Sequence, residues 1–450
     1  MNIENLKNKK ILLFGKSRSF SEDELETQLK THSIELVKEY DEDVDYIVDG
    51  AMMTPPQTIE SEKLYNKKVA EFLNIELLDN ILTNSINEDV LMMSLKLSND
   101  TQRLKNFLTN PQISDEFYFK LLAMYNWGDD DFYESDDNRD ISASLIRRFY
   151  KNIERNHNVE FSKLGLMHLV LQCNDENIIE TIVNLKPLRK SFKTNDKDHG
   201  YRIVSSIATH TSTPKKVLKL LIKEANSYIK TLIAMRKDID DELQKLLYET
   251  GEHKVLEALS CCKNLTDEIF NKFLEDEAYS KNMAKYIKLD IDKYDFFKDA
   301  FASELAQNEN INPFMQGDLL YFHLEEVEEN LAYNKSIYEE LIPEMLKHKK
   351  DRVDFALYSN SSTPKSILEL GFQDKKNYLA LSLNKNTPQD ILSKLYESND
   401  VGIRTALSKN ISTPVDILYQ LQLDSRFERY VKENPSFGRH IQQENIGWQI

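Results

Sequence analysis

A repeat constrains this chain more than any other feature. Three stretches, "LYSNSSTPKSIL" (357–368), "LSLNKNTPQDIL" (381–392) and "LSKNISTPVDIL" (407–418), share the pattern Leu-x-x-Asn-x-x-Thr-Pro-x-x-Ile-Leu. An earlier copy is "IATHTSTPKKVL" (207–218); looser ones begin at Ile233, Leu259, Leu305 and Leu331, and a truncated one at Val431. Counted at the Asn position, the units fall at 210, 236, 262, 308, 334, 360, 384, 410 and 434, mostly 24 or 26 residues apart. The interval from 262 to 308 fits two units, with a degenerate one near Tyr286. One such unit cannot bury its apolar face alone, so the units must stack.

Each position in the unit has a physical reading. Thr is expected to cap a helix, with Pro in its first turn, where a missing N–H costs nothing. Ile-Leu and a later apolar residue, such as Leu395 or Leu421, form the buried face. Leu381 and Leu407 should be buried, and Lys385 and Lys409 exposed. The Leu before Asn belongs to a second, shorter helical segment, and Asn can bond turn backbone through its side chain. Asn308, Asn334, Asn360, Asn384, Asn410 and Asn434 therefore read as an internal scaffold of turns. His210 takes the same position and reads as structural.

A unit of this length is too short for tetratricopeptide or HEAT repeats. The run Asn-x-x-Thr-Pro-x-x-Ile-Leu-x-x-Leu resembles the leucine-rich repeat variant family, most clearly over 357–421 and more loosely over 205–445. That resemblance implies a right-handed α-solenoid, in which one α-helix alternates with a short 3₁₀-type helix. Some members carry a cysteine-bound iron–sulfur cluster. Cys173, Cys261 and Cys262 form no such motif, and they are too few and too badly spaced for a disulfide framework or a zinc site. No cofactor is expected. Cys261 and Cys262 read as a free, mostly buried thiol pair.

Only 11 Gly and 11 Pro in 450 residues point to a mainly α chain. No apolar run reaches the ~20 residues of a membrane helix. "MNIENLKNKK" lacks an apolar signal region, so a reducing cytoplasm is the expected location. Net charge is −17, with acidic and basic residues mixed along the chain. That opposes extensive binding to nucleic acid, whose phosphates must be neutralised by Lys and Arg.

The first 85 residues differ in character. "KKILLFG" reads as a strand and "SEDELETQLKTH" as a helix, with Ser21 and Glu24 placed as a capping box and Leu25 and Leu29 on one face. "IELVKEY" and "VDYIVDG" read as strands, "SEKLYNKKVAEFL" as a helix, and "IELLDNIL" as the final strand and helix. The order predicts a small α/β domain with a mainly parallel sheet. Gly15-Lys16-Ser17 tempts a phosphate-loop reading. That loop needs a further glycine where Lys10 stands, and a flexible cradle where Ile11–Phe14 read as strand.

The features "LLFG", "SEDEL", "DYIVDG" and "KLYNKKVAEFLNIELL" resemble, in order and spacing, the BRCT domain, especially the type that ends bacterial NAD-dependent DNA ligases. The resemblance covers 8–85 and makes Gly15 the residue that closes the first strand. Phosphate-binding members place Ser or Thr before that glycine and Lys in the second helix. Here Phe14 replaces the hydroxyl, and Lys67 or Lys68 matches the lysine, leaving Lys67 and Lys68 as the anion-binding candidates.

Residues 86–200 read as a helical connector or divergent repeats, with Asn110 and Asn174 in the Asn role, and 201–450 as the array. "GDDDFYESDDNRD" (128–140) reads as a solvated acidic loop: Ile141 and Arg147 stand where a calcium loop needs Gly and Glu. The variable positions after Thr-Pro are the candidate partner-binding residues: Lys215, Lys216, Lys365, Gln389, Asp390 and Asp416. The expectation is a non-enzymatic adaptor for protein partners. The alternative is a DNA-associated protein of repair or replication, whose repeat array cradles duplex.

Overall fold

The computed structural model describes residues 2–128, 135–150, 163–194 and 199–444. The chain is mainly helical, with one small parallel sheet near its N-terminus. It divides into two compact units, 1–229 and 230–450. The division falls inside the segment 201–450, which the repeat pattern treats as one.

In the first unit, strands β1 (Lys10–Phe14), β2 (Glu35–Val37), β3 (Tyr46–Asp49) and β4 (Glu71–Asn74) lie in the order β2-β1-β3-β4, all parallel. Side chains alternate across a strand, so Leu12 and Phe14 share a face, where they pack with Val44, Ile47 and Leu64. Leu25 and Leu29 are buried on the helix Glu22–Thr31, as their spacing predicts. Gly15 ends β1 with φ +76°, and a Cβ there would stand 2.4 Å from the Ala51 carbonyl oxygen. Only glycine combines that dihedral with so close an approach.

Three local expectations need correction. Ser21 caps its helix by accepting the Glu24 N–H at 3.3 Å, but Glu24 completes no capping box. Its buried carboxylate instead takes Arg103 Nε at 2.8 Å. The second helix is Pro55–Lys67, starting six residues before Ser61, because Pro55 and Pro56 suit a helical first turn. The last strand is Glu71–Asn74, four residues before the expected "IELL", which opens the helix Ile75–Asn84. Pairing of β4 with β3 outweighs the local helical pattern.

Helix pairs fill the rest of the unit. Asn110 lies buried between Thr101–Thr109 and Asp115–Met124, where its Oδ1 accepts the Gln112 N–H at 2.8 Å. Asn174 does not share this role: it is exposed, and Cys173 Sγ accepts the Asp175 N–H at 3.3 Å instead. Residues 129–134 of the acidic stretch lie outside the described residues. Its second half opens a helix, Asp136–Phe149, where a loop was expected; Asp137 and Asp140 both grip Lys105, at 2.7 and 2.8 Å.

The second unit is a helical repeat. Successive pairs are Asp351–Ser359 with Lys365–Gly371, Tyr378–Leu383 with Gln389–Tyr396, and Val401–Lys409 with Val415–Gln422. Both members are α-helices. The expected alternation with 3₁₀ segments is absent among the described residues of this unit, where 3₁₀ geometry is confined to single turns at Glu339–Leu341 and Lys375–Asn377. Leu381, Leu392, Leu395, Leu407, Leu418 and Leu421 fill one continuous core, while Lys385 and Lys409 are exposed. The degenerate unit is present: the helix Glu277–Tyr286 ends at the expected turn and Asp290 caps the helix after it.

Thr does not cap. In the Thr-Pro copies the proline is the cap residue, and Thr Oγ1 donates backwards, from Thr387 to Leu381 O at 2.7 Å and from Thr413 to Leu407 O at 2.7 Å. The buried hydroxyl gives a helix-end carbonyl a donor, beside the Asn410 N–H at 3.3 Å in the case of Leu407 O. Three copies without Thr-Pro solve the turn differently. They bury Ile239, Leu265 or Ile311 in Thr's place, and the next residue, Asp240, Thr266 or Asn312, caps through its side chain.

The asparagines form a ladder. Asn334 Nδ2 donates to Ala306 O and Asn308 O, at 2.9 and 3.0 Å. Asn360, Asn384, Asn410 and Asn434 each repeat this pair of bonds to the unit before. Each Oδ1 accepts the N–H two residues on, so every polar atom of these buried amides is used.

Candidate functional site

The ladder leaves nothing on its own asparagines to recognise a partner. What remains is where the ladder fails and where side chains vary. It fails early in the second unit, where Arg236, Cys262 and Tyr286 occupy three consecutive Asn positions. None can donate as a primary amide does. Arg236 turns to Asp238, with Nε and Nη2 at 2.8 and 2.6 Å from its carboxylate. Cys262 is half-buried, and Tyr286 is 41% exposed.

An open groove of about 890 Å³ runs along these turns and reaches Asn310. Lys237, Lys263 and Lys285 line it, one from each of three successive turns. None forms an ion pair with a carboxylate among the described residues. Two lysines further along are clasped, Lys350 by the fully buried Glu328 at 2.8 Å and Lys376 by Asp354 at 3.0 Å. Met235, 68% exposed, supplies apolar surface, and Lys285 Nζ sits 5.4 Å from the Tyr286 ring centroid. Glu309 lines the far end of the groove. Burial raises both the Cys261 and the Cys262 thiol above the ordinary range, which disfavours thiolate chemistry there. The groove escaped the sequence reading, although its signal was visible as the departure of residues 236, 262 and 286 from Asn.

The named candidates lie elsewhere. Lys67 and Lys68 end their helix at the N-terminal edge of the sheet, just before Glu71, which pairs with Tyr46. Gly15 lies at the opposite edge, a strand length of roughly 13 Å away. The structure does not join these lysines to Gly15 in an anion pocket. At the Gly15 end, Ser17 Oγ donates to the buried Asp79 at 2.8 Å, and the Arg18 N–H points to its other oxygen at 3.3 Å. An internal carboxylate thus occupies the donors that a phosphate would need.

Lys365, Gln389, Asp390 and Asp416 are exposed in the first turns of equivalent helices in three consecutive units. Asp390 also approaches Lys394 at 3.8 Å. Lys215 and Lys216 open the helix Lys215–Glu224 of the first unit, where Lys216 pairs with Glu180. No group of three His, Cys, Asp or Glu among the described residues could hold a metal ion. No described helix is long and apolar enough to cross a membrane.

No protein-family model matches the chain, and no curated protein matches it. A crystal structure of an engineered protein is similar at 14% identity, over 79% of this chain and 99% of that one, with a TM-score of 0.18. A likeness so slight carries no argument about function.

Proposed function

We propose that this protein is a non-enzymatic adaptor of the cytoplasm, holding protein partners on the outer surface of its repeat. In this reading the repeat is a right-handed α-solenoid related to the leucine-rich repeat variants, and the N-terminal sheet domain is a BRCT-like docking module. The observation that carries the proposal is the division of labour within each unit. Leu, Asn and Thr are consumed internally, while the positions after Thr-Pro stay exposed and change charge from copy to copy: Lys365, Gln389-Asp390, Asp416. Stacked repeats bind through such variable surface positions.

A duplex-binding array would repeat cations in step with phosphates. From Arg236 onward the residue after each Asn position instead reads Lys237, Lys263, Ile287, Glu309, Lys335, Ser361, Lys385, Ile411 and Pro435, a cation in only four of nine units. The test is affinity capture from the native cell with and without nuclease, using the natural chain and a Lys365→Glu/Asp390→Lys/Asp416→Lys variant. A discrete protein partner that survives nuclease and is weakened by the variant is expected. Loss of every partner on nuclease treatment would overturn the adaptor reading.

A further inference from the structure

We infer that the groove along Arg236, Cys262 and Tyr286 is a docking site for an extended acidic segment of a protein partner. The inference rests on the adaptor reading and gives one surface of it a ligand chemistry. Charge complementarity carries it. In a chain of net charge −17, Lys237, Lys263 and Lys285 stand in one groove without carboxylate partners among the described residues. An ammonium group held near others without counter-charge lowers the stability of the free protein and is relieved by an incoming anion.

Geometry selects the kind of anion. The three lysines belong to three different turns, so they do not converge on one point, as a site for a small phosphate or carboxylate would require. Neighbouring packed helices stand about 8–10 Å apart, and a peptide in the extended polyproline II form advances about 3.1 Å per residue and turns every third side chain to the same face. A carboxylate at roughly every third residue would therefore meet one lysine per turn. Met235 and the Tyr286 ring lie among the lysines and suit an aliphatic side chain between the acidic ones. Glu309, at the Asn310 end of the groove, faces Lys335 at 3.9 Å and offers the segment no further cation. A single-stranded nucleic acid fits less well. It needs successive aromatic platforms, and among the described lining residues Tyr286 is the one aromatic ring.

The experiment uses the full chain and a fluorescein-labelled peptide of roughly twelve residues, with Glu at every third position and Leu between. A Lys-for-Glu version and an oligothymidylate of equal charge are the comparison probes. The expected result is anisotropy-detected binding of the acidic peptide alone, weakened about tenfold or more by Lys237→Glu/Lys263→Glu/Lys285→Glu. Lys385→Glu, on an exposed turn of the intact ladder, should leave it within about twofold. Bound peptide should also slow maleimide labelling of Cys262, a readout that a merely structural role for the lysines would not move. Unchanged thermal melting of the triple variant separates lost binding from lost folding; where the triple variant melts early, Lys263→Gln alone serves in its place. No binding of the acidic peptide, or equal binding by the variants, would overturn the inference. So would tighter binding of the oligonucleotide, which assigns the groove to nucleic acid. Each of these outcomes leaves the adaptor reading standing if a nuclease-resistant partner is still captured through Lys365, Asp390 and Asp416.

Discussion

Asn384 Nδ2 donates to the carbonyl oxygen of Asn360 at 2.7 Å, joining equivalent turns 24 residues apart. Its second N–H reaches Tyr358 O at 3.0 Å, and its Oδ1 takes the Asn386 N–H at 2.8 Å. One side chain therefore settles three backbone groups, two of them in the previous unit.

Asn384→Ala should cost about 2–4 kcal/mol, because it strands buried carbonyls that each cost about 1–3 kcal/mol to leave unpaired. Asn384→Asp should be at least as damaging, since it sets an oxygen against two carbonyl oxygens. Lys385→Ala, one residue away and exposed, should stay within about 0.5 kcal/mol. Urea midpoints measure all three, and a neutral Asn384→Ala would mean that the ladder contributes no net stability.

Thr387 and Asp240 occupy adjacent positions of their units and do different jobs. Thr387→Asp places a carboxylate in a buried site whose hydroxyl donates to Leu381 O, and should destabilise by more than about 2 kcal/mol. Asp240→Ala removes a true cap, which accepts the Leu243 N–H at 3.0 Å, and should cost about 0.5–2 kcal/mol. If Thr387→Asp were stabilising, Thr would be a cap after all.

Ser17 and Asp79 answer the phosphate-loop reading. Calorimetry with ATP or GTP should show no binding, because Asp79 already holds the Ser17 hydroxyl and faces the Arg18 N–H. Asp79→Ala should lower stability by about 1–3 kcal/mol through those orphaned donors. Micromolar nucleotide affinity that vanishes in Lys16→Ala would contradict this.

Asp45 ties the edge of the sheet to pH. The hydrogen bond from Lys9 Nζ at 2.8 Å, with help from the Lys10 N–H at 2.9 Å, holds its carboxyl below the usual range. A carboxyl depressed in the folded state contributes stability above its unfolded pKa of about 3.9, lost as pH falls through the folded value. Asp45→Asn should therefore be less stable than the natural chain at pH 7, and the difference should shrink as pH falls below about 4. Denaturation midpoints across that range measure it. A difference that stays constant with pH would assign the acid limb to other groups.

The repeat was legible from sequence because its signal is one-dimensional. Leu381 and Leu407 recur at the repeat interval, Thr-Pro punctuates four of the turns, and even the degenerate unit at Tyr286 falls where the interval places it. Strand β1 and the closing role of Gly15 were readable for the same reason: a short apolar run followed by glycine is a local statement. Other features depended on partners distant in the chain. Glu24 left its capping box for Arg103, 79 residues on, because a buried carboxylate needs a cation more than a helix start needs a second cap. Residues 71–74 became a strand because β3 offered an unpaired edge. Thr387 turned its hydroxyl to Leu381 because a buried hydroxyl needs an acceptor and the end of the preceding helix supplies one. The groove belongs to the same class. Lys237, Lys263 and Lys285 are unremarkable in sequence; stacking the turns brings them into one groove, and their lack of carboxylate partners is a property of the packed surface alone.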